Sequence, residues 1–369
     1  MQHDQYDVII IGAGIVGTLI SYNLSKYRLK IACVEKESEV ATGASGNNSG
    51  VIHSGINLKP GSKKAKFCVE GNRLMYDICE KFHIPYRIGG TLVLALTDAD
   101  MQVLDELKER AELNGVDDVK LVSQQEIRKM EPHVKAIAGL FSPRGGITDP
   151  KMVCRALADA AKSNGVDFLF NAKVSHIEKN TNYKIQLPNG QRLSSTIVIN
   201  SAGLYSDEIA NLVGFTKYKI HPWLGEYYII DRSKGYLLNS MVYPAPHFGG
   251  GGLGIHLTKS LDGRIFVGPN AVYLKSKEER VRTPVEEFYN SIVQFLPEVE
   301  IKDMHYGHVG VRTKLNGPET KAELDFVIEE YPSNFLNIMG IESPGFTAAP
   351  ALAEYVCEEI GKMIDLKPK

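Results

Sequence analysis

Three glycines in Gly12-Ala-Gly14-Ile-Val-Gly17 follow an apolar run and precede a helical pattern. That spacing lets the backbone approach a pyrophosphate at a helix N-terminus. Glu35 ends the next apolar run, about twenty residues after the turn, where an acid accepts hydrogen bonds from a ribose hydroxyl. A second chemistry is suggested by His53, between Ile52 and Ser54 beyond a loop of small residues. Oxidising an alcohol to a carbonyl needs a base within about 3 Å of the hydroxyl proton, and an imidazole is suited to it. Arg312, at the end of Gly307-His-Val-Gly-Val-Arg312, has the planar fork that grips a carboxylate or phosphate through two parallel hydrogen bonds.

Other polar residues are placed to help. In Gly254-Ile-His-Leu-Thr258, alternation puts His256 and Thr258 on the face opposite Ile255 and Leu257. Tyr227 and Tyr228 are adjacent in a strand pattern, so one alone can offer its phenol to a ligand while the other is core. Tyr228 is taken as the donor. Lys314 and Ser343 complete the expected substrate contacts. His305 and His308 fall on opposite faces of a strand, with no acidic or cysteine partner following, so no metal site is expected.

The elements that position these residues are legible in outline. Tyr6–Ile11, the glycine turn, Thr18–Tyr27 and Lys30–Glu35 read as one strand, turn, helix, strand unit. Residues 41–50 are small and polar, too long a loop for a mere connector. Helical spacing recurs at 66–82, 99–114, 124–131 and, after a Pro150 start, from 150 onward. Gly90–Leu96, Val166–Asn171 and Lys173–Ile177 read as strands, and Thr196–Gly203 as a central parallel strand ending in a small-residue turn. From about 219 to 311 strands alternate with Pro and Gly clusters, an antiparallel pattern. Leu336–Gly340, the turn to Thr347 and a helix from Pro350 to Met363 repeat strand, turn, helix.

Composition sets bounds. The chain has 369 residues, 43% of them hydrophobic, and a net charge of −2, which gives no basic footprint for nucleic acid. Five scattered cysteines show no zinc or dithiol spacing and read as reduced thiols. The longest apolar stretch, 8–20, is too short to cross a bilayer. A cytoplasmic protein is expected, with peripheral association at the inner face of a membrane left open.

FAD is preferred to NAD because three further regions are offered to the ligand, at 41–50, 201–203 and 340–347. The candidate cofactor residues are Gly12, Gly14, Gly17, Glu35, Lys36, Thr42, Ser45, Asn48, Ser49, Gly50, Val174, Ala202, Gly203, Gly340, Gly345, Phe346 and Thr347.

The N-terminal fingerprint, Asn47-Asn-Ser-Gly-Val-Ile-His-Ser-Gly55 and Gly340-Ile-Glu-Ser-Pro-Gly-Phe-Thr347 together resemble the D-amino-acid-oxidase-like superfamily of FAD enzymes. The resemblance spans nearly the whole chain. Within that superfamily the sequence is similar to L-2-hydroxyglutarate dehydrogenases and oxidases, and also to short glycerol-3-phosphate oxidases. The lysine the latter carry for phosphate is replaced here by glycines before Leu253, although Lys259 or Lys314 offers another route to that anion. The resemblance implies an α/β fold of the glutathione-reductase type. A Rossmann-like FAD domain, at 1–75, 149–215 and 306–369, carries an inserted antiparallel-sheet substrate domain at 76–148 and 216–305.

It further implies oxidation of a small anionic L-2-hydroxy acid, with L-2-hydroxyglutarate giving 2-oxoglutarate by hydride transfer to flavin N5. In that scheme His53 is the base and Arg312 the clamp, with electrons passed on to oxygen, a quinone or a protein. The alternatives are oxidation of sn-glycerol 3-phosphate to dihydroxyacetone phosphate, amine or amino-acid oxidation, and a non-catalytic flavin-binding subunit.

Overall fold

The computed structural model describes residues 4–246, 254–320, 322 and 324–369. The chain divides into two compact units, one made of 1–46, 150–222 and 312–369, the other of 47–149 and 223–311.

The first unit is built on parallel strands. Asp4–Ile11 pairs in parallel with Ile31–Val34 on one side and Arg192–Asn200 on the other. Asp167–Leu169 extends the sheet beyond Ile31–Val34, and Phe335–Met339 pairs in parallel with the second half of Arg192–Asn200. Ile9, Ile10, Val198, Ile199 and Phe335 are fully buried, as a parallel sheet covered on both faces requires. The Ile15–Leu24 helix packs against the Pro150–Ser163 and Gly345–Met363 helices. Their small residues, among them Gly17, Ala158, Ala161, Ala349 and Ala353, allow close approach.

The second unit is organised by a nine-stranded sheet. The sheet is mixed rather than purely antiparallel as its turn pattern suggested, because Met241–Pro244 runs parallel to Thr91–Ala95. That pairing joins strands far apart in sequence and leaves no local signal. One face carries Leu92, Val242, Leu257, Val267 and Tyr228 into an apolar core with Phe288 and Phe295. On the other face, Val93, Met241 and Tyr243 share a cluster with Val51, Ile56, Leu104 and Leu107.

Several boundaries differ from expectation: 216–222 fall in the first unit, and 149 and 306–311 in the second. Residues 47–75 belong to the second unit because Val51–Ile52 pairs with Gly146–Thr148, and Asn72 donates to the carbonyls of His53 and Arg144. The last helix begins at Gly345, not Pro350, and continues through the proline. Among the described residues no helix is long and apolar enough to cross a membrane, and no group of three or more His, Cys, Asp or Glu residues is placed to hold a metal ion.

Candidate active site

In the first unit four segments meet at the carboxyl ends of the parallel strands: the glycine turn after Ile11, the loop after Val34, the turn after Asn200 and the turn after Met339. Parallel α/β sheets hold ligands at this edge. The glycines are required sterically. A Cβ on Gly12, whose φ is +102°, would lie 2.7 Å from the Ser201 carbonyl oxygen, and one on Gly17 would lie 1.9 Å from that of Gly12. One on Gly14 would meet Ser45 Oγ at 2.8 Å, the same oxygen that accepts the Ile15 N–H at 2.9 Å.

Glu35 holds this cradle from below. Its Oε2 accepts the Ala13 N–H at 2.8 Å and its Oε1 the Glu37 N–H at 3.0 Å. Ala41 donates its N–H to the Ala13 carbonyl, so Thr42 and Ser45 are drawn over the turn. Ser201 Oγ donates to the Ile11 and Gly12 carbonyls at 3.0 and 3.2 Å, placing Ala202 and Gly203 beside Gly12. Gly340, at φ +70°, turns the chain into the helix that starts at Gly345, where Thr347 is fully buried.

Two members of the expected set are otherwise engaged. Lys36 pairs with Glu37 and lies over the Tyr205 ring, and the Val174 side chain is buried with Tyr6, Ile9 and Ile11, so only its backbone can face a ligand. The close-packed glycine cradle, capped by a helix N-terminus, fits the pyrophosphate of a dinucleotide such as FAD. Glu35, at the end of the neighbouring strand, fits its ribose.

The second unit positions His53. Val51–Ile52 pairs with Gly146–Thr148, and Thr148 donates its N–H to the Gly50 carbonyl at 2.9 Å. Asn48 Oδ1 accepts the Gly50 N–H at 2.8 Å, turning the loop into that strand. Asn72 Nδ2 donates to the His53 carbonyl at 2.9 Å, and Asn114 Nδ2 to the Gly55 carbonyl at 3.0 Å, which fixes the backbone on either side of the imidazole. Desolvation pushes the His53 pKa down to about 4, so the ring is neutral and able to accept a proton at neutral pH.

The segment carrying His53 crosses a sheet face of distinct character. At one end, a Cβ on Gly310 would lie 2.2 Å from the Asn47 carbonyl oxygen; at the other, Val51 joins the cluster of Met241 and Tyr243. The strand register continues the row Val93, Tyr243, His256, Gly268 and Tyr227 across that face. His256 stacks on Tyr243 with centroids 4.0 Å apart, and His308 stacks on Tyr227 at 4.5 Å. Phe266 meets both Tyr227 and His308 edge-on. Thr258 lies on the same face, opposite Met241.

The register corrects one expectation. Tyr228 points into the apolar core and donates its hydroxyl to the Thr283 carbonyl at 2.9 Å, so the phenol on the polar face is that of Tyr227. The pairing of Tyr228 with Val267 decides the matter, since Val267 and Leu257 are core. Tyr243 escaped the sequence reading, and His308 was considered there only with His305 as a metal ligand; the same alternation that selected His256 would have found Tyr243 had the pairing of the two strands been known.

The lysines offered as anion ligands are occupied. Lys259 lies on the face opposite Thr258 and donates to the Gly235 carbonyl at 2.6 Å, while Lys314 pairs with Glu342 at 3.8 Å, both mostly buried. Arg312 is half-buried near the end of Met304–Lys314, and Ser343 is exposed. Leu253 and the glycines before it lie outside the described residues.

A glycine cradle at the carboxyl ends of a parallel sheet, with a histidine-bearing loop over a separate polar sheet face, defines a dinucleotide-dependent oxidoreductase. The chain belongs to the DAO family of FAD-dependent oxidoreductases, whose family model matches residues 7–359. FAD is its cofactor. The chain is 34% identical to a glycerol 3-phosphate dehydrogenase of Caloramator mitchellensis, over 98% of this chain and 76% of the relative. It is 31% identical to an L-2-hydroxyglutarate dehydrogenase of Indibacter alkaliphilus, over 96% and 98%. Among solved structures it is similar to dithionite-reduced L-alpha-glycerophosphate oxidase from Mycoplasma pneumoniae with FAD bound, with a TM-score of 0.90, 29% identity and coverage of 99% and 97%. Glycine oxidase from Geobacillus kaustophilus, at 20% identity and a TM-score of 0.83, shares the fold.

Proposed function

We propose that this flavoprotein oxidises a small L-2-hydroxy acid, and that L-2-hydroxyglutarate, giving 2-oxoglutarate, is its substrate. The observation that carries this reading is His53, a desolvated and therefore neutral imidazole whose backbone is braced by Asn72 and which follows Val51, packed beside Met241 and Tyr243. His53 accepts the substrate hydroxyl proton at a ring nitrogen. FAD, when bound, supplies the two-electron acceptor for the α-hydrogen. Arg312 holds the carboxylate beside the hydroxyl through two parallel hydrogen bonds, and His256 and Thr258 add polar contacts.

Relatives named as L-2-hydroxyglutarate dehydrogenases, at 30–33% identity in nematodes, bacteria and mammals, support the choice of a hydroxy acid. Glycerol 3-phosphate is the second reading, favoured by the relative and the solved structure that carry glycerophosphate in their names. Against it, Lys259 and Lys314 are both engaged, with a carbonyl and a carboxylate, and each would have to break that contact to reach a phosphate. The test is product analysis with an artificial electron acceptor. Formation of 2-oxoglutarate from L-2-hydroxyglutarate supports the proposal; dihydroxyacetone phosphate from sn-glycerol 3-phosphate, with no oxidation of the hydroxy acid, replaces it with the second reading.

A further inference from the structure

The short strand Val51–Ile52 pairs with Gly146–Thr148 as far as Ile52 opposite Gly146, and the ladder ends there. His53 and Arg144 lie just past that point, where a buried carbonyl needs a donor from outside the ladder. One side chain serves both. The Asn72 amide, 6% exposed, donates to the His53 carbonyl at 2.9 Å and to the Arg144 carbonyl at 3.0 Å, which uses its two N–H groups and ties the ends of the two chains together.

The Lys63–Lys81 helix brings the amide there. Cys68, Asn72 and Tyr76 are spaced four apart and so share one face, which is buried. The Cys68 thiol meets the His53 carbonyl at 3.6 Å, and the Tyr76 hydroxyl donates to the Arg144 carbonyl at 2.9 Å. The fit is close on either side of His53. A Cβ on Gly146, opposite Ile52, would lie 2.2 Å from the Tyr76 hydroxyl oxygen, and one on Gly55 would lie 2.8 Å from Val69 Cγ2. The Cys68 thiol and the Tyr76 phenol are both pushed up by burial and so uncharged at neutral pH, and the row continues one turn back to the buried Lys64. Burial, not a neighbouring charge, is what lowers the His53 pKa.

The two carbonyls depend on the amide unequally. Without it the Arg144 carbonyl keeps the Tyr76 hydroxyl, whereas the His53 carbonyl retains a thiol at 3.6 Å, a weak donor. A buried carbonyl that loses its partner recruits water, and water beside the imidazole removes the desolvation that keeps it neutral. We propose that Asn72 is a positioning residue for the base: its amide closes the open end of the Val51–Ile52 ladder and so holds the His53 segment in place and dry. This rests on the reading of His53 as the base and is independent of which substrate that base serves.

The experiment uses the FAD-loaded wild type and the Asn72→Ala, Asn72→Ser and Tyr76→Phe variants, with histidine labelled for NMR and the His53 signal identified by its absence from His53→Gln. In Asn72→Ala the His53 pKa is expected to rise from about 4 towards the ordinary 6.5. The limiting rate of anaerobic flavin reduction should fall at least about tenfold with KM within about threefold of wild type, because a displaced base costs the chemical step and not binding. Tyr76→Phe is the matched control. It also removes a buried donor, so its melting temperature should fall too, while the His53 pKa and the rate stay those of wild type. Asn72→Ser, with a single shorter donor, should fall between wild type and Asn72→Ala, and it carries the test if Asn72→Ala does not fold.

A wild-type His53 pKa and reduction rate in the Asn72 variants overturn the proposal. So does a Tyr76→Phe variant that shifts His53 as far as Asn72→Ala does, since any loosening of the helix would then suffice. If the His53 pKa rises in the Asn72 variants while the flavin is reduced at the wild-type rate at every pH, by L-2-hydroxyglutarate or by sn-glycerol 3-phosphate, the hold of Asn72 on the ring stands and the assignment of the base falls. If His53→Gln is inactive but the Asn72 variants leave both pKa and rate unmoved, the reverse holds.

Discussion

Lowering the pH from 7.5 to 5.5 separates a desolvated His53 from an ordinary one. The free imidazole titrates at 6.5, but burial pushes His53 to about 4. At pH 5.5 a histidine of pKa 6.5 would be only about 9% neutral, whereas one of pKa 4 is about 97% neutral, roughly a tenfold difference in available base. The second-order rate constant for anaerobic flavin reduction by the hydroxy acid, measured by stopped flow, should therefore be nearly constant down to pH 5.5 and fall only as pH 4 is approached. A His53→Gln variant should reduce about 100-fold or more slowly at all these pH values, because the base is gone. The same shift has a stability consequence. A folded pKa below the unfolded one means that the unfolded chain binds the proton first, so the contribution is full above pH 6.5 and lost as pH falls towards 4. At pH 5.5 the loss amounts to about 1.4 kcal/mol, and His53→Gln should abolish that part of the pH dependence in chemical denaturation. A wild-type rate profile breaking near pH 6.5, with that break absent from His53→Gln, would refute the desolvation argument. Wild-type reduction rates in His53→Gln would refute the assignment of the base.

Two further outcomes follow from the geometry. Tyr228→Phe removes a core hydrogen bond to the Thr283 carbonyl, so denaturation should show a loss of about 1 kcal/mol with flavin reduction unchanged; a specific loss of substrate affinity would return Tyr228 to the site. Gly17→Ala forces a Cβ to within 1.9 Å of the Gly12 carbonyl oxygen, so the purified variant should hold far less FAD per chain by absorbance, and full stoichiometry would contradict the cradle.

What the sequence revealed was mostly local. The strand, glycine turn and helix at 4–24 could be read because apolar periodicity and glycine spacing lie within one short stretch, and Glu35 follows at a fixed distance. His256 and Thr258 were assigned to one face by alternation, and the register agrees. Alternation shows which residues share a face, not which face is core, and Tyr227 and Tyr228 could not be told apart on that basis. Their roles depend on Val267 and Leu257, which come from strands about thirty to forty residues away. Tyr243 was invisible for the same reason: a single phenol in Met241-Val-Tyr-Pro244 acquires meaning only when that strand lies between Thr91–Ala95 and Leu257–Lys259. The boundary at 46 was missed because Val51–Ile52 finds its partner almost a hundred residues later. Pro350 looked like a helix start since proline favours the first turn, yet it is tolerated inside a helix that begins at Gly345.

The most direct test of the account is an anaerobic spectrum of the FAD-loaded protein during separate additions of L-2-hydroxyglutarate and sn-glycerol 3-phosphate. The first should bleach the flavin absorbance and the second leave it unchanged. Bleaching by sn-glycerol 3-phosphate alone, or by neither compound, would contradict it.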